Sequence, residues 1–319
     1  MRAAVLREIG KLPRVEDFQE PTPGDGEVLI HVSAAALKPV DRQLASGTHY
    51  ASPRELPVVC GSDGVGRTDD DRRVFFGGPR RPYGSMAERT VVRKAQCFPI
   101  PESVDDGTAA AITNPGVSAW VSLEHGAKLK PGETVLILGA TGVTGRMAVQ
   151  IAKILGARRV VAAGRNRAVL ARLPEFGADA TMPLDCGREE LIETFRRESG
   201  QEGVDVIIDY LWGPPTEALL AALAKSEFAV SGRETRLVEV GESAGPTITL
   251  PAAVLRSSAL TIRGTAGIPA MDVLAAAYQQ VMNGASSGTL RIEIERIPLD
   301  DIEDGWERDA KGRRLIVTP

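Results

Sequence analysis

The chain has 319 residues, of which 43% are hydrophobic and 25% charged, which is typical of a globular protein with one large domain or two. Its formal net charge of −4 argues against nucleic acid or an anionic membrane as the default partner. The N-terminus lacks a signal-peptide layout, and no apolar run approaches the ~18 residues that span a bilayer. We therefore expect a cytoplasmic protein without a membrane partner.

Cysteine and histidine residues are few and scattered. They are Cys60, Cys97, Cys186, His31, His49 and His125. The odd number and wide spacing of the cysteines indicate neither a disulfide framework nor a zinc site. A reactive thiol is one interpretation, and buried small apolar cysteines are the better one.

The first hundred residues predict short strands separated by turns, which is typical of a compact all-β barrel. The strand signals are Glu27 to Val32, Leu56 to Val59, Arg73 to Phe76 and Arg89 to Val92.

Near Asp106 the pattern becomes helical, and a βαβ alternation follows. The predicted strands are Thr134 to Leu138, Arg159 to Ala163, Val204 to Asp209, Thr235 to Val240 and Leu260 to Gly264. The predicted helices are Arg146 to Leu155, Arg167 to Phe176, Pro214 to Ala224 and Met271 to Met282. The tail from Arg313 to Val317 predicts a last strand that returns to the first domain.

A glycine-rich turn directly follows the apolar strand that ends at Leu138, and it opens a helix. It reads Gly139, Ala140, Thr141, Gly142, Val143, Thr144, Gly145. Strand, turn and helix in this order are the context that a dinucleotide site requires, because glycines admit a pyrophosphate and the helix N-terminus binds its charge. The alternative is a tight turn needed only for packing.

The second strand of this unit ends in Gly164, Arg165, Asn166 and Arg167. Arg165 follows Gly145 by 20 residues, where an NAD-selective site carries Asp or Glu. A guanidinium can bind a 2′-phosphate bidentately, so Arg165, with Asn166 and Arg167, predicts NADPH. A solvated arginine pair at a helix start is the alternative.

Several segments together resemble the zinc-free quinone oxidoreductase branch of the medium-chain dehydrogenase/reductase superfamily. They are Lys38-Pro39-Val40-Asp41, Leu56 to Gly66, Tyr83 to Glu88, Ala109 to Ala111, Lys130 to Val135 and the glycine turn, in the family's order. The resemblance implies an α/β protein with a GroES-like β-barrel domain and a Rossmann doubly wound parallel-sheet domain. We place the barrel at 1–112, the Rossmann domain at 113–268 and the segment returning to the barrel at 269–319. The resemblance also implies a homodimer joined through the edges of the Rossmann sheets.

The zinc-dependent branch carries a Cys-His pair where this chain has Lys38-Pro39, and Gly-His-Glu where it has Gly61-Ser62-Asp63. Lysine and serine are poor zinc ligands, so we expect no metal. The sequence also departs from quinone reductases, which usually have Asn at Lys38 and often Tyr at Gln43, and this leaves the substrate open.

Hydride transfer requires a held cofactor and a group that stabilises charge on the substrate oxygen. Lys38 is our hypothesis for that group, with Asp41 and Tyr50 as further catalytic candidates. The alternative for Lys38 is an ion pair with Asp41 or with a cofactor phosphate, and the alternative for Tyr50 is a packing aromatic.

Further cofactor-binding candidates come from the resemblance and from the ends of the Rossmann strands. They are Asn114, Ser118, Tyr210, Val240, Gly241, Gly264 and Thr265. The alternative is that these are ordinary helix and strand positions.

The leading functional hypothesis is an NADPH-dependent reductase of quinones or α,β-unsaturated carbonyl compounds. One alternative is an enoyl-thioester reductase, in which Arg80 and Arg81 would meet a long substrate. Another is an NADPH-binding sensor or partner protein without efficient turnover.

Overall fold

The computed structural model describes residues 1–199, 203–224, 234–265, 270–310 and 312–319. The chain divides into two compact units. The first comprises Met1–Asn114 and Tyr278–Pro319, and the second comprises Pro115–Ala277. The divisions fall inside two helices. The predicted boundary at 112 lies two residues before the first division, and the predicted boundary at 268 lies outside the described residues.

The strands and helices follow in chain order. The strands are β1 (Arg2–Leu6), β2 (Arg14–Asp17), β3 (Glu27–Leu37), β4 (Val58–Val59), β5 (Asp63–Thr68), β6 (Arg73–Gly77), β7 (Arg89–Arg93), β8 (Cys97–Pro99), β9 (Thr134–Leu138), β10 (Arg159–Gly164), β11 (Ala180–Pro183), β12 (Val206–Asp209), β13 (Thr235–Glu239), β14 (Leu260–Gly264), β15 (Ile294–Pro298) and β16 (Arg314–Thr318). The α-helices are α1 (Pro39–Ser46), α2 (Asp106–Val121), α3 (Val143–Ile154), α4 (Arg167–Leu170), α5 (Arg188–Ser199), α6 (Gly213–Leu223), α7 (Ala252–Ser257), α8 (Met271–Ser287) and α9 (Ile302–Glu307).

The first unit is built from mainly antiparallel sheets around the long strand β3. One sheet has the order β2-β1-β4, and the larger one has the order β15-β16-β3-β5-β6-β8, with β7 also paired to β3. A bulge between Val32 and Ala34 lies where β3 pairs with β5, and bulges of this kind bend a strand. The last strand, β16, pairs with β3 through Leu315 and Leu37. A core of buried side chains, including Leu6, Met86 and Trp306, fills this unit.

The second unit is a parallel six-stranded sheet with the order β11-β10-β9-β12-β13-β14. The chain reverses direction across the sheet after β11, because β12 pairs on the opposite side of β9. All five residues of β9 are buried, as expected for a strand covered on both faces. The predicted fold class, a GroES-like barrel domain plus a Rossmann domain, is therefore confirmed.

Some predicted elements change in extent. The predicted helix from Arg167 to Phe176 is a four-residue α-helix followed by a separate 3₁₀ turn at Leu173–Phe176. The helical pattern that the sequence predicts near Asp106 is one continuous helix, α2, which contains Pro115. Helix α5 escaped the sequence prediction, because its charged sequence hides the few apolar positions that it buries.

Candidate active site and cofactor cradle

The glycine turn lies between β9 and α3 as the sequence predicts. Gly139 adopts a φ of +83°, a conformation that favours glycine. A Cβ on Gly145 would overlap the carbonyl oxygen of Gly139 and the Cα of Ala140, so this glycine allows the helix to pack closely on the turn. A Cβ on Gly142 would meet only the Gly139 oxygen, at 3.3 Å. The turn therefore combines a packing glycine with one that leaves its outer side open.

The N-terminus of helix α3 has no side-chain cap, and its first backbone N–H groups can bind an anion. Its N-cap is Gly142, which has no side chain to satisfy the first-turn N–H groups. Val143, Thr144 and Gly145 form that first turn, and the helix dipole places partial positive charge there. An open glycine turn that leads into uncapped amides fits the pyrophosphate of a dinucleotide.

The end of β10 supplies one cation beside this turn. Arg165 is exposed, and it makes no ion pair or hydrogen bond with any described residue. Asn166 instead caps α4 by accepting a hydrogen bond from the Val169 amide at 3.1 Å. The guanidinium of Arg167 binds Asp185, with Nε 2.8 Å from the carboxylate. Two arginines were predicted to bind the 2′-phosphate. Arg167 is paired with Asp185, whereas Arg165 has no ion-pair partner among the described residues and can bind a phosphate.

The remaining candidates of the second unit gather along the same edge of the sheet. Because the strands are parallel, the residues that follow β12, β13 and β14 share the edge with the glycine turn. The amides of Val240 and Gly241 both donate to the Asp209 carbonyl, and the Thr265 amide donates to Glu239. A Cβ on Gly264 would meet no atom of the described residues within 4 Å. The structure therefore brings the predicted strand-end positions to the nucleotide edge.

Asp209 at this edge holds the loop after β12 in place, a role that the sequence analysis did not predict. Its buried carboxylate accepts hydrogen bonds from the amides of Leu211 (2.8 Å) and Trp212 (3.0 Å) and from the Thr216 hydroxyl (2.6 Å). Burial raises the pKa of Asp209, while these hydrogen bonds lower it. The carboxylate holds Trp212 at a φ of +53°, which non-glycine residues seldom adopt. The sequence signal that could have predicted this role is an Asp at the end of a strand, followed closely by the turn residues Gly213 and Pro214.

Tyr210 lies in the loop that Asp209 orders. Its hydroxyl is buried and has no hydrogen-bond partner among the described residues. Burial raises the pKa of this phenol, so it remains protonated. A buried donor without a partner fits a position that a ligand oxygen satisfies, in keeping with its prediction as a cofactor contact.

Asn114 and Ser118 lie one turn apart on α2, and the boundary between the two units falls between them. Asn114 is exposed and Ser118 is half-buried. Their predicted contact with the cofactor stays a prediction.

In the first unit, Lys38 is buried and surrounded by oxygen atoms. Its Nζ lies 2.7 Å from Asp63, 3.4 Å from Asp41 and 3.3 Å from the Ala36 carbonyl. An ammonium has three N–H donors, and three acceptors already face this one. The ion-pair alternative for Lys38 thus describes the geometry, and the ammonium is engaged within the barrel.

The charges around Lys38 balance. Burial lowers the pKa of Lys38, but Asp41 and Asp63 raise it more, so its pKa stands above the ordinary value. Burial also raises the pKa of Asp63, against the lowering by Lys38. Buried Arg314 from β16 adds a second cation that acts on both groups. Two cations and two carboxylates therefore share this interior.

Asp41 links this network to helix α1. One carboxylate oxygen accepts the Lys38 backbone amide at 2.9 Å, which caps the helix. The other accepts the Ser62 hydroxyl at 3.1 Å. Asp41 also lines a cavity of the first unit.

Tyr50 and the two predicted mouth arginines have different surroundings. Tyr50 is 97% exposed and contacts the His49 ring at a centroid distance of 4.2 Å, so it is no packing residue of the core. Arg80 is paired with Glu27 at 2.6 Å. Arg81 donates to the Ala51 carbonyl at 2.7 Å and lines the same cavity as Asp41.

Within the described part of the chain, no group of three or more His, Cys, Asp or Glu side chains could hold a metal ion. Cys60 is buried, and Cys97 and Cys186 are half-buried. Burial raises the pKa of all three thiols. None of the described helices has the length and apolar character needed to cross a membrane.

A barrel unit joined to a Rossmann unit with an open glycine turn is the architecture of a nucleotide-dependent dehydrogenase. Residues 143–282 match the family described as "Zinc-binding dehydrogenase". Human quinone oxidoreductase is 32% identical over 223 residues, and the alignment covers 66% of this chain and 66% of the human protein.

Solved structures align over the full chain. The Escherichia coli quinone oxidoreductase complexed with NADPH has a TM-score of 0.85 and 18% identity, and the alignment covers 100% of both chains. An NAD-dependent alcohol dehydrogenase has the same TM-score, 26% identity and 100% coverage of both chains. The chain belongs to the medium-chain dehydrogenase/reductase superfamily, in its quinone oxidoreductase branch, as its motifs predicted.

Proposed function

We propose that this protein is an NADPH-dependent, zinc-independent oxidoreductase that reduces quinones or α,β-unsaturated carbonyl compounds. The observation that carries the proposal is Arg165 at the end of β10. Its exposed guanidinium has no ion-pair partner among the described residues and lies next to the open turn at Gly142. The quinone oxidoreductases among the relatives support the substrate class.

Different residues at the sheet edge that carries the glycine turn bind different parts of the cofactor. The first-turn amides of α3 hold the pyrophosphate, and Arg165 pairs with the 2′-phosphate. The hydroxyl of Tyr210 would donate a hydrogen bond to the bound cofactor. Asp209 holds the loop that contains Tyr210 through a hydrogen bond from the Trp212 amide. Reduced nicotinamide supplies a hydride when bound, and the chain's task is to orient it and to exclude water.

The cofactor preference is tested by Arg165→Ser, with Arg167→Ser as the matched control. Loss of a bidentate phosphate contact raises the KM for NADPH on the order of tenfold or more and leaves the KM for NADH nearly unchanged. Arg167→Ser changes both values little, because its guanidinium is bound to Asp185. Equal effects of the two variants, or wild-type preference for NADH, would contradict the proposal.

Zinc independence is tested on the purified protein by elemental analysis and by dialysis against a chelator. We expect less than stoichiometric zinc and unchanged turnover after dialysis. Activity that is lost with the chelator and restored by zinc would refute this part of the proposal.

The substrate class is tested by following NADPH oxidation against a panel of quinones, enones and enoyl thioesters. Turnover of quinones or enones is the expected result. Turnover of the thioesters alone would indicate the enoyl-thioester reductase, with Arg81 at its substrate entrance. Saturable NADPH binding without turnover of any compound would indicate the sensor.

We further propose a homodimer formed through β14, and a cytoplasmic location. This strand is the edge of the second unit's sheet, and no other described strand pairs with its outer side. Open strand edges favour pairing with another chain. Light scattering should give twice the 33.9 kDa chain mass, and a monomer at micromolar concentration would contradict the dimer.

A further inference from the structure

The side chain of Thr141 in the glycine turn lies against the end of strand β10. A Cβ on Gly164 would be 2.7 Å from the Thr141 Oγ1 and still closer to its Cγ2, so only glycine allows this contact. The next residue along the chain is Arg165, which is proposed to bind the 2′-phosphate. The Thr141 side chain therefore lies where the glycine turn meets the strand end that carries this cation.

Backbone hydrogen bonds fix the position of Thr141 on this strand. The amides of Gly139 and Ala140 both donate to the Ala163 carbonyl, at 3.0 and 2.8 Å. Strand β10 is itself paired on both sides, with β9 and with β11. The turn and the strand end are thus held together before a ligand binds, and groups held in this way bind at a lower entropic cost.

The hydroxyl of Thr141 is available to a ligand. The side chain is half-buried, and the hydroxyl makes no hydrogen bond with any described residue. The two residues that follow Arg165 are engaged, because Asn166 caps α4 and Arg167 pairs with Asp185. A threonine hydroxyl can donate one hydrogen bond, so Thr141 offers a donor beside the strand end.

A 2′-phosphate requires more donors than one arginine fork supplies. A phosphate monoester has three terminal oxygens that accept hydrogen bonds, and a guanidinium pairs with two of them. The third oxygen needs another donor. A hydrogen bond to a charged phosphate is about twice as strong as one to a neutral ribose hydroxyl, so a donor at this place favours the phosphorylated cofactor.

We propose that Thr141 is a specificity-determining residue for NADPH, and that its hydroxyl donates a hydrogen bond to the 2′-phosphate that Arg165 binds. This inference rests on the NADPH preference in the proposed function. It gives the glycine turn a part in cofactor selectivity, in addition to its part in binding the pyrophosphate. Selectivity then depends on two segments, the turn after β9 and the end of β10.

Calorimetric titration with NADPH and with NADH tests the role of Thr141. The two cofactors differ only in the 2′-phosphate, and the measurement requires no turnover. Thr141→Val keeps the branched shape that packs on Gly164 and removes the hydroxyl. It should weaken NADPH binding about tenfold and leave NADH binding unchanged. Thr141→Ser retains the hydroxyl and should restore most of the preference for NADPH.

Thr144→Val is the matched control. Thr144 lies in the first turn of α3, and its side chain is half-buried with no hydrogen-bond partner for the hydroxyl among the described residues. This variant should not change the ratio of the NADPH and NADH affinities. An equal loss for both cofactors in Thr141→Val, unchanged NADPH binding in that variant, or the same change of ratio in Thr144→Val would overturn the assignment.

The titrations also separate this inference from the proposed function. If the wild-type protein binds NADPH no more tightly than NADH, the proposed cofactor preference and the role of Thr141 both fail. If Arg165→Ser removes a preference for NADPH and Thr141→Val does not, only the role of Thr141 fails. Failure of the quinone assay alone would remove the proposed substrate class and leave the binding result intact.

Discussion

At the scale of single residues, the barrel interior is notable for a lysine that is fully engaged. Lys38 is 2% exposed, and both of its carboxylate partners are buried as well. The cost of burying these charges is offset only while all of them are present. The role that fits this geometry is therefore positioning: Lys38 holds Asp41, and through it the start of α1.

Lys38→Met should destabilise the protein by about 3–5 kcal/mol, because it leaves two buried carboxylates without their ammonium. Urea unfolding measures this loss. The double variant Lys38→Met/Asp63→Asn should lose less than the single variant, since it removes one of the orphaned charges. A single-variant loss below about 1 kcal/mol would show that the ion pairs are not required.

A second prediction concerns Glu239 at the end of β13. Burial raises the pKa of Glu239, and the nearby Asp209 and Glu242 carboxylates raise it further. A carboxyl with a raised folded pKa contributes stability below its ordinary pKa, and that contribution is lost as pH rises through the folded value. At pH 7 this contribution is reduced, and a neutral side chain at position 239 would avoid the loss.

Glu239→Gln should thus raise the urea midpoint at pH 7 by an amount equivalent to about 0.5 kcal/mol, a small gain because solvent screens this half-exposed group. The gain should vanish near pH 4, where the wild-type carboxyl is protonated. A gain that persists unchanged at pH 4 would assign it to a cause other than charge.

At the scale of elements, the turn between β9 and α3 assigns different roles to two glycines. Gly145→Ala forces its Cβ onto backbone atoms of Gly139 and Ala140, which must shift. Overpacking of this kind costs about 1–3 kcal/mol, and it should also weaken NADPH binding by displacing the turn. Thermal unfolding and cofactor titration measure the two effects.

Gly142→Ala is the matched control. Its Cβ would meet one oxygen at 3.3 Å, so we expect little loss of stability. It projects toward the open side of the turn, however, and should weaken cofactor binding. Comparable losses of stability in both variants would argue against the division of roles.

The elements that the sequence predicted well are those whose signal is local. Strand β9 has four consecutive apolar residues and is followed directly by the glycine turn, and strand β14 has the predicted bounds. Helix α1 was missed because it buries only Asp41 and Ala45, which leaves no apolar stripe to detect. The site divides in the same way. The glycine turn and Arg165 are read from spacing, whereas the pairing of Lys38 with Asp63 and Arg314 joins distant segments and has no local signature.

At the scale of the whole molecule, the first unit is completed by the last strand. In β16, Leu315, Ile316 and Val317 are 3%, 0% and 0% exposed. Burial of three such side chains contributes about 6 kcal/mol, which is comparable to the entire stability of a domain.

A chain that ends after Ala310 should therefore fail to fold its first unit. We expect limited proteolysis to cleave within residues 1–114 far faster than in the full chain. Removal of the exposed Pro319 alone should have no such effect. Resistance of the shortened chain to protease would contradict the requirement for β16.

The pairing of β3 with β16 also affects how the protein is made. Ala36 emerges from the ribosome early, but its partner Ile316 follows only after the whole second unit has been synthesised. At about 5–20 residues per second, this edge of β3 stays open for roughly 15–55 s. The second unit, which is continuous in sequence, can complete its fold in that interval. Until β16 is made, the unpaired edge of β3 can pair with other chains and lead to aggregation. A chaperone would therefore help most during this interval.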